Sequence, residues 1–167
     1  AGINLAIHPD DPPFPVLGLP RILSSSEDIS WFEKTCPSPN NGLAFCTGSF
    51  SARRENSVIQ MAQQFSHRIH FAHLRNTFIE KDGSFYESGH SHGGVNMSET
   101  IKILLKEMKK RKNEGRKDYQ IPVRPDHGIK YLDDFNLSGN PGYPFLGRLT
   151  GLKEICGMEA AILNEMD

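Results

Sequence analysis

Cysteine is scarce in this sequence, and the spacing of the cysteines argues against a small domain stabilised by disulfides or by zinc. Only three cysteines occur among 167 residues, and no two of them form a CxxC pair. A secreted disulfide framework and a zinc knuckle are therefore not indicated. We expect a reducing, cytoplasmic environment. Cys36 and Cys156, in a loop and on a helix stripe, are interpreted as ordinary structural residues.

Long apolar runs and an excess of charge of one sign are also missing. No run approaches the roughly 18 apolar residues of a membrane span, and the opening AGINLAIHPDDPP has no basic segment followed by an apolar one. Nineteen lysines and arginines oppose 20 aspartates and glutamates, giving a net charge of −1. We therefore expect neither nucleic acid nor a membrane as partner, and any ligand must be held by a local site.

One segment, residues 102–117, does concentrate positive charge, with eight basic residues. Acidic residues interrupt the run, an apolar stripe continues beneath it, and no aromatic residues are interleaved with it. These features favour a solvated helix face over nucleic-acid binding.

The rest of the composition is typical of a folded domain. With glycine included, the apolar share is about 46 %, inside the roughly 45–50 % of globular chains. The length predicts one domain over residues 1–167, with enough chain to bury a single core.

Short apolar runs alternate with amphipathic stretches along the chain. Four runs predict buried strands, at residues 3–7, 43–45, 69–72 and 121–123. Helix starts are predicted at a capping box formed by Ser24 and Glu27, at Asn56 and at Ser98, with a closing helix over 149–163. This alternation predicts an α/β fold with a parallel sheet. The long connections, residues 8–23 and 76–96, are predicted to be site-forming loops.

Side chains that bind metals or move protons follow each predicted strand. The carboxyl ends of parallel strands open on one face, so residues distant in sequence are expected to meet there. One candidate metal ligand follows each strand: His8, Cys46, His73 and Asp126. Each has an ordinary structural interpretation when taken singly, but their occurrence at all four strand ends favours a metal site. Two imidazoles, a thiolate and a carboxylate suit a divalent transition metal, and by themselves they favour zinc.

Other polar residues are candidates for substrate contact and proton transfer. Arginines can hold an anionic substrate by bidentate contacts. Glycines and histidines around Glu87 are interpreted as a loop that contacts substrate hydroxyls or carboxylates. NPGY at 140–143 predicts a tight turn that could present a tyrosine for proton transfer. The candidates are Arg75, Arg124, Arg148, His90 and Tyr143, of which Arg148 could equally be structural.

Several longer motifs, in order along the chain, resemble the mannonate dehydratase family. They are HPDDPP at 8–13, GLPRI at 18–22, CTGS at 46–49, HLRN at 73–76, FYESGH at 85–90, RPDHG at 124–128, LDD at 132–134 and NPGYPFLGRLTGL at 140–152. The match departs from the family at Ile129, where a second histidine is usual, and at Asn96, where aspartate is common.

The resemblance implies a metal-dependent dehydration of D-mannonate to 2-keto-3-deoxy-D-gluconate, in hexuronate (glucuronate) catabolism. It implies a xylose-isomerase-like TIM barrel that uses Mn²⁺ or Fe²⁺. The family's metal ligands fall on the four strand-end residues already chosen, and its acid–base region falls on His127 and Tyr143, beside Asp126. Arg75 and His90, with Arg124 and Arg148, would position the sugar acid.

The length has a second consequence once the barrel is expected. A complete (β/α)₈ barrel takes about 250 residues, and only about four β/α units are recognisable here, so we expect the C-terminal half of a barrel. An N-terminal half would come from a separate chain or fragment, and the complete enzyme would be a homo-oligomer. Two alternatives stay open: a metal-dependent sugar isomerase or epimerase of the same fold, and an inactive fragment or binding module.

Overall fold

The computed structural model describes residues 2–166, which contain six strands and five α-helices. The strands are β1 (Leu5–Ile7), β2 (Asn41–Cys46), β3 (Ile69–His73), β4 (Thr77–Ile79), β5 (Phe85–Glu87) and β6 (Val123–Arg124). The α-helices are α1 (Ser26–Thr35), α2 (Thr47–Ser51), α3 (Val58–Phe65), α4 (Met97–Asn113) and α5 (Phe145–Met166). Short 3₁₀ helices span Ser66–Arg68 and Leu132–Asn136.

Four of the strands form a parallel sheet in the order β1, β2, β3, β6. Neighbours in this sheet follow one another along the chain, with helices in the connections, so the predicted α/β class with a parallel sheet is confirmed. The last strand is short, because only Ala72 and His73 of β3 pair with it. Ile121, predicted to lie in this strand, precedes it and is buried.

The first helix begins with the kind of capping box that the sequence predicts, but one residue later. The Ser25 side chain accepts a hydrogen bond from the Asp28 backbone, and the Asp28 carboxylate accepts one from the Ser25 backbone. Asp28 also accepts the backbone N–H of Ser24, over 2.8 Å. Asp28, in the third helical position, thus accepts the backbone N–H of Ser25 and also that of Ser24, which Glu27 would have accepted in the predicted box.

The other two predicted caps are also displaced. Asn56 donates its side-chain amide to the carbonyls of Ser24 and Phe50 and does not cap α3. Asn96 caps α4 by accepting the backbone N–H of Glu99 over 3.0 Å, so the helix begins before Ser98. Asparagine is a strong N-cap residue, which gives Asn96 a local structural role.

The core lies between the sheet and its helices. β2 is the most buried strand, and its residues from Gly42 to Cys46 are all buried. Phe65 from α3 and Leu104 from α4 pack in the same apolar cluster as Phe45 from β2. This burial fixes the ends of β2 and β3, from which two of the candidate ligands project.

The positively charged stretch is only partly a solvated face. Arg111 is fully buried, with 0 % exposure, and its Nε donates to Glu107 Oε1 over 2.9 Å. A terminal nitrogen of Arg111 donates to the carbonyls of Ser66 and Ile69, over 2.8 and 2.9 Å. For Arg111 and Glu107 the solvated interpretation is therefore wrong: the pair anchors the start of β3.

The segment 76–96 contains more regular structure than a loop. β4 and β5 form an antiparallel hairpin in which Thr77 pairs with Glu87. Among residues 2–166, the helices are all too short or too polar to cross a membrane.

Candidate metal and acid–base site

The four strand-end residues chosen from the sequence meet at the carboxyl edge of the parallel sheet. His8 follows β1, Cys46 ends β2, His73 ends β3, and Asp126 follows β6. Each offers one ligand atom, and these four atoms all lie within 4.8 Å of one another. The parallel order of the strands is what brings together residues separated by up to 118 positions.

The two imidazoles face each other across this cluster. His8 Nδ1 lies 2.7 Å from the carbonyl of Pro9, which can only accept, so Nδ1 carries the hydrogen and Nε2 presents a lone pair. That Nε2 is 3.1 Å from His73 Nδ1, which in turn is 3.5 Å from Asp126 Oδ2. His73 Nδ1 thus lies between His8 Nε2 and Asp126 Oδ2, within hydrogen-bonding distance of the first and ion-pair distance of the second.

The sulfur ligand is buried and has its own hydrogen-bond donor. Cys46 is the N-cap of α2, so the chain turns at this residue directly from strand into helix. Ser49, one turn into α2, donates its hydroxyl to Cys46 Sγ over 3.2 Å. A donor in this position stabilises negative charge on the sulfur.

Asp126 is held by both its backbone and its neighbours. Its φ of 64° is unusual for a residue other than glycine, although aspartate tolerates it better than most. Arg124 Nε donates to Asp126 Oδ1 over 3.1 Å, leaving Oδ2 directed at the cluster. Burial raises the pKa of Asp126, but the charge of His73 and the hydrogen bond from Arg124 outweigh it and hold the pKa below its usual range.

This donor set fits a metal ion. Ligand atoms sit about 2.0–2.3 Å from a bound transition metal, so two on opposite sides of one ion are separated by up to about 4.6 Å. The observed limit of 4.8 Å is close to that span. Two nitrogens, one sulfur and one oxygen suit a divalent transition metal.

A second pair of titratable groups lies beside the cluster. His127 Nε2 is 2.8 Å from the hydroxyl of Tyr143 and 3.8 Å from Asp126 Oδ2. Tyr143 is presented by the predicted tight turn, since its N–H donates to Asn140 over 3.1 Å and Gly142 has a φ of 82°. A type II turn requires such a positive φ at its third residue, which favours glycine.

Glu87 is a third titratable group, in contact with His127. The sequence indicated the segment around it as a substrate loop but did not predict its contacts. Its Oε1 is 2.6 Å from His127 Nδ1, and both of its oxygens lie 3.0 Å from Arg75 Nε. Burial raises the pKa of Glu87, but hydrogen bonds from His127 and Arg75 outweigh it and leave the pKa below its usual range. The FYESGH motif is the sequence signal that marks Glu87. Its contacts with His127 and Arg75 depend on the fold of the hairpin and could not be read from the motif.

The predicted substrate residues occupy different surroundings. Arg75 is buried against Asp11 and Glu87; burial lowers its pKa, but these carboxylates outweigh that effect and raise it. The Arg148 guanidinium lies 5.7 Å from the centre of the Tyr143 ring.

His90 is also buried, with 2 % exposure, and its Nε2 donates to the carbonyl of Pro125 over 3.0 Å. It packs so closely on Gly151 that a Cβ there would lie 2.2 Å from the imidazole. These contacts fix the residue before Asp126. Contact between His90 or any of the arginines and a substrate stays a prediction.

Fold and site together define an α/β protein with a cluster of potential metal ligands and an adjacent histidine–tyrosine pair at the carboxyl edge of a parallel sheet. Comparison with known sequences gives the family. The profile of the D-mannonate dehydratase (UxuA) family matches residues 1–167, and the chain belongs to that family. The resemblance inferred from the motifs is thereby confirmed.

Curated relatives support the same assignment. The chain is 49 % identical over 162 residues to a mannonate dehydratase of Chromohalobacter salexigens, covering 96 % of the chain and 41 % of the relative. It is 46 % identical over 165 residues to mannonate dehydratase 2 of Agrobacterium fabrum, covering 99 % and 41 %. The chain thus spans about two fifths of the length of these relatives.

A solved structure agrees with the fold. The crystal structure of mannonate dehydratase from Streptococcus suis serotype 2 superposes with a TM-score of 0.85 at 31 % identity. The superposition covers 99 % of this chain and 45 % of that one.

Proposed function

We propose that the polypeptide in which this chain works is a hydro-lyase that converts D-mannonate to 2-keto-3-deoxy-D-gluconate in hexuronate catabolism. The observation that carries the proposal is the adjacency of two sites. The four-residue ligand cluster and the His127–Tyr143 pair are separated by only 3.8 Å, measured from Asp126 Oδ2 to His127 Nε2. A dehydration next to a carboxylate needs charge stabilisation and proton transfer at neighbouring atoms.

His8, Cys46, His73 and Asp126 would hold a divalent metal ion, for which we propose Mn²⁺ or Fe²⁺. The donor set and its spacing support a transition metal, and family membership is the reason for preferring these two over zinc. Lewis-acid stabilisation of the negative charge that develops beside the substrate carboxylate is the chemistry that such an ion supplies.

His127 and Tyr143 are proposed to carry out the two proton transfers. The reaction breaks the C2–H bond, with the proton passing to one of the pair. It then breaks the C3–O bond, with the hydroxide leaving as water after accepting a proton from the other. The enol formed between C2 and C3 becomes the ketone when C3 gains a proton and the C2 hydroxyl loses its own. With 2.8 Å between Nε2 and the phenol oxygen, protons can also pass within the pair.

Arginine side chains are proposed to orient the sugar acid. Arg148 lies beside Tyr143, and its Nε is buried without a hydrogen-bond partner among residues 2–166. The Arg124 side chain is partly exposed, at 43 %, and forms an ion pair with Asp126. Arg75 and His90 are proposed to contribute as well, although their buried contacts are those of residues that support the site.

The chain is proposed to form half of a (β/α)₈ barrel, completed by an N-terminal half, with homo-oligomers formed by the whole. Two observations support this arrangement. The curated relatives are more than twice as long. All three residues of the edge strand β1 are exposed, including Leu5 at 67 %, which is what an edge awaiting a neighbouring strand would present.

The test is incubation of the assembled, Mn²⁺-loaded protein with D-mannonate. We expect a 2-keto-3-deoxy product, and we expect Tyr143→Phe to keep its metal and lose turnover. Tyr86→Phe is the control, because Tyr86 lies exposed on β5. An isomerised or epimerised sugar acid, or normal turnover by Tyr143→Phe, would contradict the proposal.

A further inference from the structure

Glu87 lies behind the acid–base pair, on the side away from the ligand cluster. We propose that it is a positioning residue: it fixes the hydrogen of His127 on Nδ1, so that Nε2 presents its lone pair to Tyr143 and to substrate. The proposal rests on the function proposed above.

The tautomer follows from the partners of the two ring nitrogens. His127 Nδ1 is 2.6 Å from Glu87 Oε1, and an ionised carboxylate can only accept, so Nδ1 must donate. Nε2 of the neutral ring is then an acceptor. The Tyr143 hydroxyl, 2.8 Å away, donates to it. The hydrogen bonds thus run in one direction, from Tyr143 to His127 and from His127 to Glu87.

Glu87 can impose this order because it is itself immobilised. Its backbone is paired with Thr77 in the hairpin. Its carboxylate is held by Arg75, whose Nε contacts both oxygens at 3.0 Å and whose terminal nitrogen contacts Oε1 at 2.6 Å. Arg75 is fixed in turn by an ion pair with Asp11 and by the Phe85 ring, 5.9 Å from its guanidinium carbon. A carboxylate gripped on both oxygens has little freedom to rotate away from the imidazole.

This arrangement is a form of preorganisation. A histidine that transfers protons must offer the correct nitrogen, and the wrong tautomer can cost several orders of magnitude in rate even when the geometry is intact. Because Arg75 balances the charge of Glu87, the carboxylate stays ionised in a partly buried position. Glu87 itself does not need to bind or release a proton.

Three substitutions separate this role from a general structural one. Glu87→Asp keeps the charge but withdraws the carboxylate by about one C–C bond, about 1.5 Å, and so breaks the contact with Nδ1. Glu87→Ala removes the acceptor altogether. Glu87→Gln keeps the length and one acceptor oxygen, and should rescue the tautomer. Glu80→Ala is the matched control, since Glu80 is an exposed glutamate just after β4 of the same hairpin.

The tautomer is measured by ¹⁵N NMR of the His127 imidazole in the protein loaded with diamagnetic Zn²⁺, with signals assigned by their loss in His127→Asn. We expect the Nδ1–H form in the wild type, in Glu87→Gln and in Glu80→Ala, and a shift toward Nε2–H in Glu87→Asp and Glu87→Ala. In the Mn²⁺ enzyme, kcat should fall about 100-fold or more in the last two, with unchanged metal content and KM for D-mannonate within about threefold.

Retention of the Nδ1–H form in Glu87→Asp or Glu87→Ala would overturn the proposal, as would equal losses in Glu87→Gln and Glu87→Ala. Should the alanine variant fail to fold, the aspartate and glutamine variants decide. A wild type that does not dehydrate D-mannonate refutes the proposed function instead, while the NMR measurement still tests the role of Glu87.

Discussion

The hydroxyl of Ser49 is the most sensitive place at which to test the environment of the sulfur ligand. Ser49 is fully buried, and its hydroxyl donates to Cys46 Sγ over 3.2 Å. Ser49→Ala deletes one oxygen and leaves the four proposed ligands in place. The deletion therefore changes how well the site stabilises a thiolate, without changing which atoms bind the metal.

The size of the effect follows from the hydrogen bond that is lost. Hydrogen bonds to charged groups contribute about 1.5–3 kcal/mol when buried. At about 1.4 kcal/mol per factor of ten, metal affinity should fall about 10- to 150-fold. This range agrees with the roughly 10- to 100-fold cost of removing a residue that hydrogen-bonds to a metal ligand.

Competition between the protein and a chelator for Mn²⁺ measures this affinity directly. Ser51→Ala is the matched control, because Ser51 lies on the same helix but its hydroxyl contacts Gly48 and Thr77 instead of a ligand. We expect Ser51→Ala to bind like the wild type. Equal affinities for Ser49→Ala and Ser51→Ala would refute the idea that this hydroxyl supports a metal-bound thiolate.

Two further predictions concern the framework that supports the site. Arg111→Ala should lower the free energy of unfolding by about 3–5 kcal/mol, because it leaves the buried Glu107 carboxylate without its ion-pair partner. Thermal denaturation measures this loss. Asp134→Asn should destabilise the protein near neutral pH, because the Asp134 carboxylate accepts the backbone N–H groups of Leu146 and Gly147 at the start of α5. Burial raises the pKa of Asp134, but these hydrogen bonds outweigh it and lower the pKa, so its contribution is complete above about pH 4 and disappears as pH falls further.

Each of these two predictions has a clear contrary result. Lys110→Ala removes an exposed helical ion pair of 3.9 Å and should change stability by less than about 1 kcal/mol. If Arg111→Ala lowered the free energy of unfolding by no more than Lys110→Ala does, the prediction for the buried pair would be wrong. For Asp134, a difference between wild type and variant that grew with falling pH would contradict the direction of the pKa shift.

The clustering of the four candidate ligands could be predicted from sequence because it depends on strand order alone. Once His8, Cys46, His73 and Asp126 follow successive parallel strands, the topology brings them to one edge whatever the details of packing. The turn that presents Tyr143 is equally local, since Pro141 and Gly142 specify it.

The features that could not be predicted depend on tertiary contacts. Arg111 has the same charge as its neighbours, and its burial depends on tertiary contacts, among them its hydrogen bonds to the carbonyls of Ser66 and Ile69. The strand that carries Glu87 has only three residues, too few for the sequence to distinguish it from a loop, and its partners come from distant segments. The cap of α1 fell one residue later because Ser24 and Ser25 are both good N-cap residues and Asp28 selects the second.

Metal content is the most direct measurement of the site itself. We predict about one divalent ion per chain after mild purification or reconstitution with Mn²⁺, and loss of that ion in Cys46→Ala and Asp126→Asn. Cys36→Ala and Asp133→Asn are the controls, since both residues are exposed and lie outside the cluster. One ion retained in Cys46→Ala and Asp126→Asn, or a content far below one per chain that reconstitution does not restore, would contradict a metal centre built from the four strand ends.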